Sequence, residues 1–167
     1  MDTSGVGLRV VVSFEESGGL STLNVPPAWS PDGRTIAFTN TDTMVTLVTV
    51  DSGELRHLVK GTGPTFSPDG TEIAYENNGA LWTTALDAVD PYPLTLALSD
   101  IATSGVGGDL GRPMWSPSGE WIVYRDRRTL WKVSAYGGEP QELFADQSWS
   151  FPVGWVESTF VFISPLI

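Results

Sequence analysis

Pro27-Ala28-Trp29-Ser30-Pro31-Asp32-Gly33 is the stretch that decides the fold, because the chain contains it three times. It recurs as Pro64-Thr65-Phe66-Ser67-Pro68-Asp69-Gly70 and as Pro113-Met114-Trp115-Ser116-Pro117-Ser118-Gly119. The three starts, together with a fainter one at Pro152, lie roughly 40 residues apart, which is the period of a four-stranded propeller blade. The repeat therefore predicts the architecture before any single element is assigned.

Within each copy, the phrase predicts a first strand that ends in a tight turn. Proline fixes φ at the second turn position, aspartate hydrogen-bonds the nearby backbone, and glycine accepts a positive φ. Alternating second strands are predicted over residues 35–38, 72–75 and 121–124, and third strands over residues 47–50, 81–84 and 130–133. Weaker outer strands are predicted over residues 55–59, 93–98 and 141–144. We therefore expect an all-β chain of four-stranded antiparallel blades, almost without helix.

Both ends of the chain carry half of this pattern. Residues 8–26 are similar to a third and a fourth strand, and residues 152–167 are similar to a first and a second strand. We expect one domain over residues 1–167, in which these half-blades flank blades over residues 27–63, 64–112 and 113–151. Two alternatives follow: the half-blades close a ring of about four blades, or the chain is a segment of a larger ring that pairs with copies of itself.

The charge balance argues against several classes of partner. The chain has 20 acidic residues against nine lysines and arginines, a net charge of −11, and no basic run. Phosphate backbones require cations, so we expect no nucleic acid partner. No apolar run is long enough to insert into a bilayer, and the first residues lack the features of a signal peptide. The absence of cysteine excludes disulfides and thiolate metal sites but leaves the compartment open.

The phrase Trp-Ser-Pro-Asp-Gly-x-x-Ile-Ala-Phe, with the leucine-led strand, glycine-rich turn and weak outer strand after it, resembles the TolB-type, WD-like β-propeller repeat. The resemblance covers the three full repeats and part of each end. Similar blades occur in periplasmic envelope proteins, in gating propellers of prolyl oligopeptidase-like enzymes and in sensor domains of bacterial kinases. The resemblance implies the fold, and an extracytoplasmic location if the chain is TolB-like, while function has to come from a site.

The sequence offers little for catalysis. The single histidine, His57, falls in an outer strand, and no Gly-x-Ser-x-Gly elbow is present. The glycines of residues 104–111 run directly into a strand, which argues against a phosphate loop. The oxygen-rich turns at residues 40–43 and 76–79 lack the alternating acids of a calcium loop and suit tight turns. We therefore predict a chain that is not an enzyme and holds no cofactor or metal.

The best candidate for a binding site lies where the repeat is interrupted. The second repeat is the longest, and residues 99–112 account for most of its excess. In a propeller this loop shares a face with the turns between second and third strands, and so with the basic cluster at residues 125–128. Long loops on rigid scaffolds often bind. The candidate residues are Asp42, Asn77, Asp109, Arg112, Arg125 and Arg127. The basic cluster either pairs with Asp109 or with carboxylates of a neighbouring blade such as Asp42 and Glu76, or it meets an acidic ligand.

These features favour a binding or assembly module for a protein or peptide, including self-assembly through the terminal half-blades. One alternative is a propeller that binds a small molecule or glycan at the mouth of its channel. Another is a gating or sensor fragment of a larger enzyme. The repeated aromatics are expected to be scaffold, each filling a wedge between blades. They are Trp29, Phe66, Trp115 and Trp155.

Overall fold

A computed structural model describes residues 10–11, 13, 26–87, 91–95, 110–126, 129–145 and 151–163. Every regular element within these ranges is a strand, and all strand pairs are antiparallel. Each full repeat forms a four-stranded meander in which neighbours in the chain are neighbours in the sheet. This is the arrangement of a propeller blade, and the predicted all-β architecture is confirmed.

The strands form three blades and a two-stranded sheet. Blade 1 contains β1 (Ala28–Trp29), β2 (Thr35–Thr39), β3 (Met44–Thr49) and β4 (Leu55–Lys60). Blade 2 contains β5 (Thr62–Phe66), β6 (Glu72–Asn77), β7 (Ala80–Ala85) and β8 (Tyr92–Pro93). Blade 3 contains β9 (Leu110–Trp115), β10 (Trp121–Asp126), β11 (Thr129–Ser134) and β12 (Gln141–Ala145). The half-blade contains β13 (Phe151–Val156) and β14 (Thr159–Ile163).

One serine hydroxyl organises the turn between the first two strands of blade 1. Ser30 Oγ accepts the Thr35 amide at 2.9 Å and donates to Asp32 Oδ1 at 2.7 Å. The Gly33 amide closes the turn by donating to the Ser30 carbonyl at 2.9 Å, with a φ of 71° at the glycine. The residues of the repeated phrase are thus the residues that this turn requires.

Blades 2 and 3 repeat the serine turn. Ser67 Oγ accepts the Glu72 amide at 2.9 Å and donates to Asp69 Oδ1 at 2.6 Å. In blade 3, Ser118 stands in place of the aspartate, and its hydroxyl lies 3.2 Å from that of Ser116. The third copy therefore keeps the turn geometry while losing the carboxylate.

The core lies in the wedges between blades. Phe66 at the end of β5 packs with Ala28 and Leu47 of blade 1 in one buried cluster. Trp115 at the end of β9 packs with Ala74 of blade 2, and its indole Nε1 donates to the Thr65 carbonyl at 3.3 Å. Each of these aromatics fills the wedge toward the preceding blade, where it removes a large apolar area from water.

Trp29 breaks this pattern. Phe66 and Trp115 are 7% and 8% exposed, whereas Trp29, at the same repeat position, is 59% exposed. The prediction that all the repeated aromatics fill wedges is therefore wrong for Trp29. The reason is that its wedge would be closed by a preceding blade, and the described residues form no sheet ahead of blade 1.

The strand limits differ from the predicted ones at two places in blades 2 and 3. Strand β9 begins at Leu110, so Arg112 lies in an inner strand and not in the long loop. Strand β8 is two residues long, and Leu94 follows it outside the strand. It ends early because the Thr95 hydroxyl accepts the Leu81 amide at 3.0 Å, which replaces a backbone ladder bond. Residues 96–98 of the predicted outer strand lie outside the described ranges.

The two predicted half-blades are described to different extents. The half-blade at the end of the chain is present as β13 and β14, and the Phe162 ring lies 5.0 Å from that of Phe144 in blade 3. Of residues 8–26, only Val10, Val11, Ser13 and Pro26 are described, so the first half-blade and ring closure stay predictions. Within the described ranges, no helix has the length and apolarity that a membrane span needs.

Gly61, between β4 and β5, is expected to be far less replaceable than Gly33. Its φ is 152°, and a Cβ atom there would overlap the Tyr75 ring and lie 2.6 Å from the Glu76 carbonyl oxygen. We expect Gly61→Ala to lower the free energy of unfolding by about 3 kcal/mol in urea denaturation, through strain and overpacking together. Gly33→Ala is the matched control, because its Cβ would enter open space and only the positive φ would cost about 1 kcal/mol. Equal losses would show that close packing at Gly61 is unimportant.

Candidate functional site

The blades present two faces. The turn face carries the serine turns, which join first and second strands, and the turns between third and fourth strands. The hairpin face carries the turns between second and third strands and the connections between blades. The Gly61 amide donates to the Thr43 carbonyl at 2.7 Å, which places a connection between blades beside a turn of the hairpin face. This is the shared face that the sequence predicts for the candidate residues.

On the hairpin face, Asn40 builds the turn that carries Asp42. Its side chain Oδ1 accepts the amides of Asp42 at 3.1 Å and of Met44 at 2.9 Å, and Asn40 is buried. The oxygen-rich stretch at residues 40–43 thus serves the turn, and it leaves Asp42 exposed at the tip.

Asn77, the second candidate, ends strand β6 on the same face. Its carbonyl accepts the Trp82 indole Nε1 at 3.1 Å, so its backbone is fixed by the scaffold. Asn78 and Gly79 follow with φ of 52° and 75°, the two positive values that a type I′ hairpin requires. The hairpin therefore sets where the Asn77 side chain emerges.

Glu76 does not present its carboxylate to a ligand. Its Oε2 accepts the Thr62 hydroxyl at 2.8 Å, its Oε1 accepts the Gly79 amide at 2.9 Å, and the residue is buried. These two bonds tie β5 to the hairpin of blade 2. The carboxylate is a structural element of this face.

The basic candidates are only partly described. Arg125 lies near the end of β10, half-buried, where its Cα pairs with those of Leu130 and Gly111 in the neighbouring strands. The backbone of Arg112 belongs to β9, while its side chain, Asp109 and Arg127 lie outside the described structure. The long loop as a binding element and the pairing of the arginines with carboxylates stay predictions.

The turn face holds a site that the sequence does not predict. The ends of the inner strands enclose a cavity of about 340 Å³, which we call the axial funnel. Its walls are the aromatic and proline side chains of the repeated phrase, Trp29, Phe66, Trp115, Trp155, Pro31, Pro68 and Pro117. None of the residues that line it is charged. The signal was present in the sequence, because each copy places an aromatic residue and a proline at the same end of an inner strand.

Two serine hydroxyls of the axial funnel are already engaged in their own turns. Ser67 Oγ takes part in its turn with Glu72 and Asp69, and Ser116 Oγ accepts the Trp121 amide at 3.0 Å. These hydroxyls therefore have little capacity for a ligand. What the funnel offers is a mostly apolar surface with an exposed indole at Trp29 and, at Trp155, an indole Nε1 that has no hydrogen-bond partner among the described residues.

Two carboxyl groups of blade 2 have opposite pKa shifts beside the funnel. The Ser67 hydroxyl, then the amide and the hydroxyl of Thr71, donate to Asp69 and lower its pKa. Burial and then the charge of Asp69 raise the pKa of Glu72, and a hydrogen bond from Tyr92 opposes them with a smaller effect. Hydrogen bonds hold the first carboxylate ionised, whereas the second lacks a compensating positive charge.

The groups that carry acid–base chemistry elsewhere in proteins serve the scaffold here. His57 lies on the outer strand β4, and its Nδ1 is 3.0 Å from Oγ1 of Thr46 on β3. Burial raises the pKa of Tyr75 to about 12, and burial followed by the charge of Asp126 raises that of Tyr124, so both phenols are protonated at neutral pH. Among the residues that the structure describes, no three His, Cys, Asp or Glu side chains could together hold a metal ion.

Comparison with known proteins identifies the fold. No protein-family model and no curated protein matches the sequence. A solved structure assigned as TolB from Agrobacterium tumefaciens matches with 23% identity and a TM-score of 0.57, over 72% of this chain and 50% of that chain. TolB from Acinetobacter baumannii matches with 20% identity and a TM-score of 0.59, over 77% of this chain and 34% of that chain. A chain of the nidogen/laminin complex matches with 14% identity and a TM-score of 0.61, over 83% of this chain and 54% of that chain.

The chain therefore has a TolB-like β-propeller fold, and the resemblance inferred from the repeat is confirmed. It spans half of the matched Agrobacterium chain and about a third of the matched Acinetobacter chain. Identities this low establish the fold alone, so the site has to carry any statement about function.

Asp69 is expected to contribute stability that acid removes. Because its folded-state pKa is lowered, this contribution is complete above the unfolded-state pKa and is lost as the pH falls through the folded-state value. We expect Asp69→Asn to lower the urea midpoint at neutral pH, and the difference from the native chain to shrink as the pH falls below the unfolded-state pKa toward the lower folded-state pKa. Asp87→Asn, in the exposed turn after β7, is the control for the loss of one negative charge. A difference for Asp69→Asn that stays constant with pH would contradict the assignment.

Proposed function

We propose that this chain is a non-enzymatic interaction module that binds a segment of a protein or peptide in the axial funnel. The observation that carries the proposal is the exposed indole of Trp29 on the wall of an uncharged concavity of about 340 Å³. Concave, aromatic-lined sites are the usual binding sites of proteins, and tryptophan is enriched among the residues that dominate binding energy.

The chemistry of the walls favours an apolar peptide segment over a sugar. A glycan needs several hydrogen-bond partners, and the hydroxyls of Ser67 and Ser116 in this funnel are engaged in their own turns. Proline, methionine and aromatic side chains such as Pro68, Met114 and Trp155 suit the apolar side chains of a partner. One of the matched structures is a complex between nidogen and laminin, which supports protein binding as a use of this fold.

Trp29 is expected to dominate binding in the axial funnel. The test selects peptides from a random phage-displayed library on the full chain and measures the affinity of the best peptide. We expect selection of apolar and aromatic residues, and at least about a tenfold loss of affinity for Trp29→Ala, the size of an interface hot spot. Leu143→Ala, an exposed apolar residue on β12, is the matched control and should leave affinity unchanged. Equal affinities for the native chain and Trp29→Ala would refute the proposal.

A second candidate function is self-assembly, in which copies complete each other's blades. It is favoured by the half-blade, since β13 and β14 have no third strand among the described residues, and by the uncovered wedge at Trp29. Edges of this kind invite pairing with another chain.

For self-assembly we expect light scattering to give a mass of at least twice the 18.0 kDa of one chain. Trp29→Ala should then shift the protein toward the single-chain mass, because the uncovered wedge would lose its largest apolar contact. A mass of 18.0 kDa over the whole concentration range would contradict assembly and leave Trp29 open to other proteins.

A further inference from the structure

A second cavity lies between blades 2 and 3 on the turn face. It has a volume of about 510 Å³, and we call it the interblade groove. Its walls come from Pro68, Asp69 and Glu72 of blade 2 and from Pro117, Ala135 and Tyr136 of blade 3. Ser67, Pro68, Trp115 and Pro117 line the axial funnel as well, so the two cavities are adjacent.

Blade 3 places a small, buried residue at the wall of the groove where the other blades place a larger one. The Ala135 amide donates to the Glu120 carbonyl at 2.9 Å, and the Leu86 amide donates to the Thr71 carbonyl at 2.9 Å. These bonds show that Ala135 and Leu86 occupy the same repeat position, which is Val50 in blade 1. Alanine leaves the volume that leucine or valine would fill.

The turns of blades 2 and 3 also stand further apart than those of blades 1 and 2. A Cβ atom added to Gly119 would lie 3.8 Å from Pro68 Cδ, whereas one added to Gly70 would lie 3.3 Å from Pro31 Cδ. At these equivalent atoms, the gap between the turns of blades 2 and 3 is therefore wider than the gap between the turns of blades 1 and 2.

The groove carries negative charge that its own walls do not neutralise. Asp69 Oδ1 accepts three hydrogen bonds from Ser67 and Thr71, at 2.6 to 3.0 Å, which leaves Oδ2 for a further donor. The lining residues include no lysine or arginine, and Lys132 lies instead over the Trp121 ring at 4.5 Å. A cation that enters the groove would supply the missing charge.

Blade 1 shows the difference that this charge makes. There Arg34 occupies the repeat position of Thr71. The pKa of Asp32 is lowered first by the Ser30 hydroxyl, next by the Arg34 amide and also by the charge of the Arg34 guanidinium. Blade 1 thus carries its own cation beside the turn aspartate, and blade 2 does not.

An aromatic ring stands among the lining residues of the groove. Tyr136 is 85% exposed and occupies the repeat position at which blades 1 and 2 have Asp51 and Asp87. Aromatic rings attract cations through their faces and pack against the alkyl stems of long basic side chains. The groove therefore combines carboxylates with an exposed aromatic ring.

We propose that the interblade groove binds a lysine or arginine side chain of the same segment whose apolar part enters the axial funnel. The inference rests on the proposed function, because it assumes a peptide segment as the occupant. Asp69 and Glu72 accept hydrogen bonds from the cation, and Tyr136 packs on its stem. The net charge of −11 attracts such a partner to the chain as a whole.

The test uses the random phage-displayed library on the full chain at physiological ionic strength, where distant charges are screened. We expect the selected peptides to carry lysine or arginine beside an apolar residue. A selected peptide should bind about three- to tenfold more tightly than its twin with norleucine in place of the basic residue, the size of a partly exposed ion pair with a cation–π contact.

Two variants of the groove and one control locate the effect. Glu72→Gln removes a carboxylate, and Ala135→Leu fills the groove with the residue that blade 2 already has at that position. Both should abolish the preference over the norleucine peptide while apolar residues are still selected. Glu142→Gln removes one charge from the exposed face of β12 and should keep the preference.

The outcomes separate this inference from the proposed function. A preference that survives both groove variants, or that Glu142→Gln also removes, would overturn the groove. If the native chain selects apolar peptides in a way that depends on Trp29, and shows no preference for a basic residue, the groove is overturned and the funnel is supported. If the preference for a basic residue depends on Glu72 and Trp29→Ala does not change the affinity, the funnel is overturned and a cation site in the groove is supported. Recovery of no peptide above background would overturn both.

Discussion

The structure depends on one small constraint, a serine hydroxyl that joins the first and second strand of each blade. In blades 1 and 2 this hydroxyl accepts a backbone amide and donates to an aspartate, and Ser30 and Ser67 are buried with both bonds made. A buried hydroxyl without partners would cost about 1 to 3 kcal/mol, so the turn has little freedom. Because the turn is fixed, the inner strands of blades 1 to 3 end at the same residue of the repeat. The aromatic and proline residues of the phrase therefore lie together around the axial funnel.

The scaffold and the candidate sites therefore use the same residues in different ways. At Phe66 and Trp115, the neighbouring blade covers the aromatic ring, and the ring contributes to the core. At Trp29 no sheet of the described chain provides that cover, and an identical repeat position becomes exposed surface. The same logic applies to Ala135, whose small side chain turns a filled interblade position into a groove. Function is proposed where a repeat position differs between blades, either in what covers it, as at Trp29, or in residue identity, as at Ala135.

This distinction decides how much could be predicted from the sequence. The blades, their turns and their second strands were predictable because each rests on local chemistry that recurs in register, as at Ser67 and Gly70. The exposure of Trp29 was not predictable from the sequence, because the burial of this side chain depends on whether another blade covers it. The early end of β8 was also missed, since the Thr95 hydroxyl replaces a backbone acceptor in the ladder and no propensity encodes that bond. The binding site that the sequence predicts on the hairpin face stays a prediction, and on that face the Glu76 carboxylate is engaged within the scaffold.

A repeated scaffold has a difficulty with specificity that the interblade differences address. If every blade offered the same groove beside the funnel, a bound segment could leave the axis in several equivalent directions. The groove between blades 1 and 2 combines Leu86 with a cation at Arg34, whereas the next groove combines Ala135 with the carboxylate of Glu72. Arg34 makes the first groove less favourable for a basic side chain than the second, whose lining residues include no lysine or arginine. For a segment that binds as proposed, this difference between the grooves would favour one direction over the other.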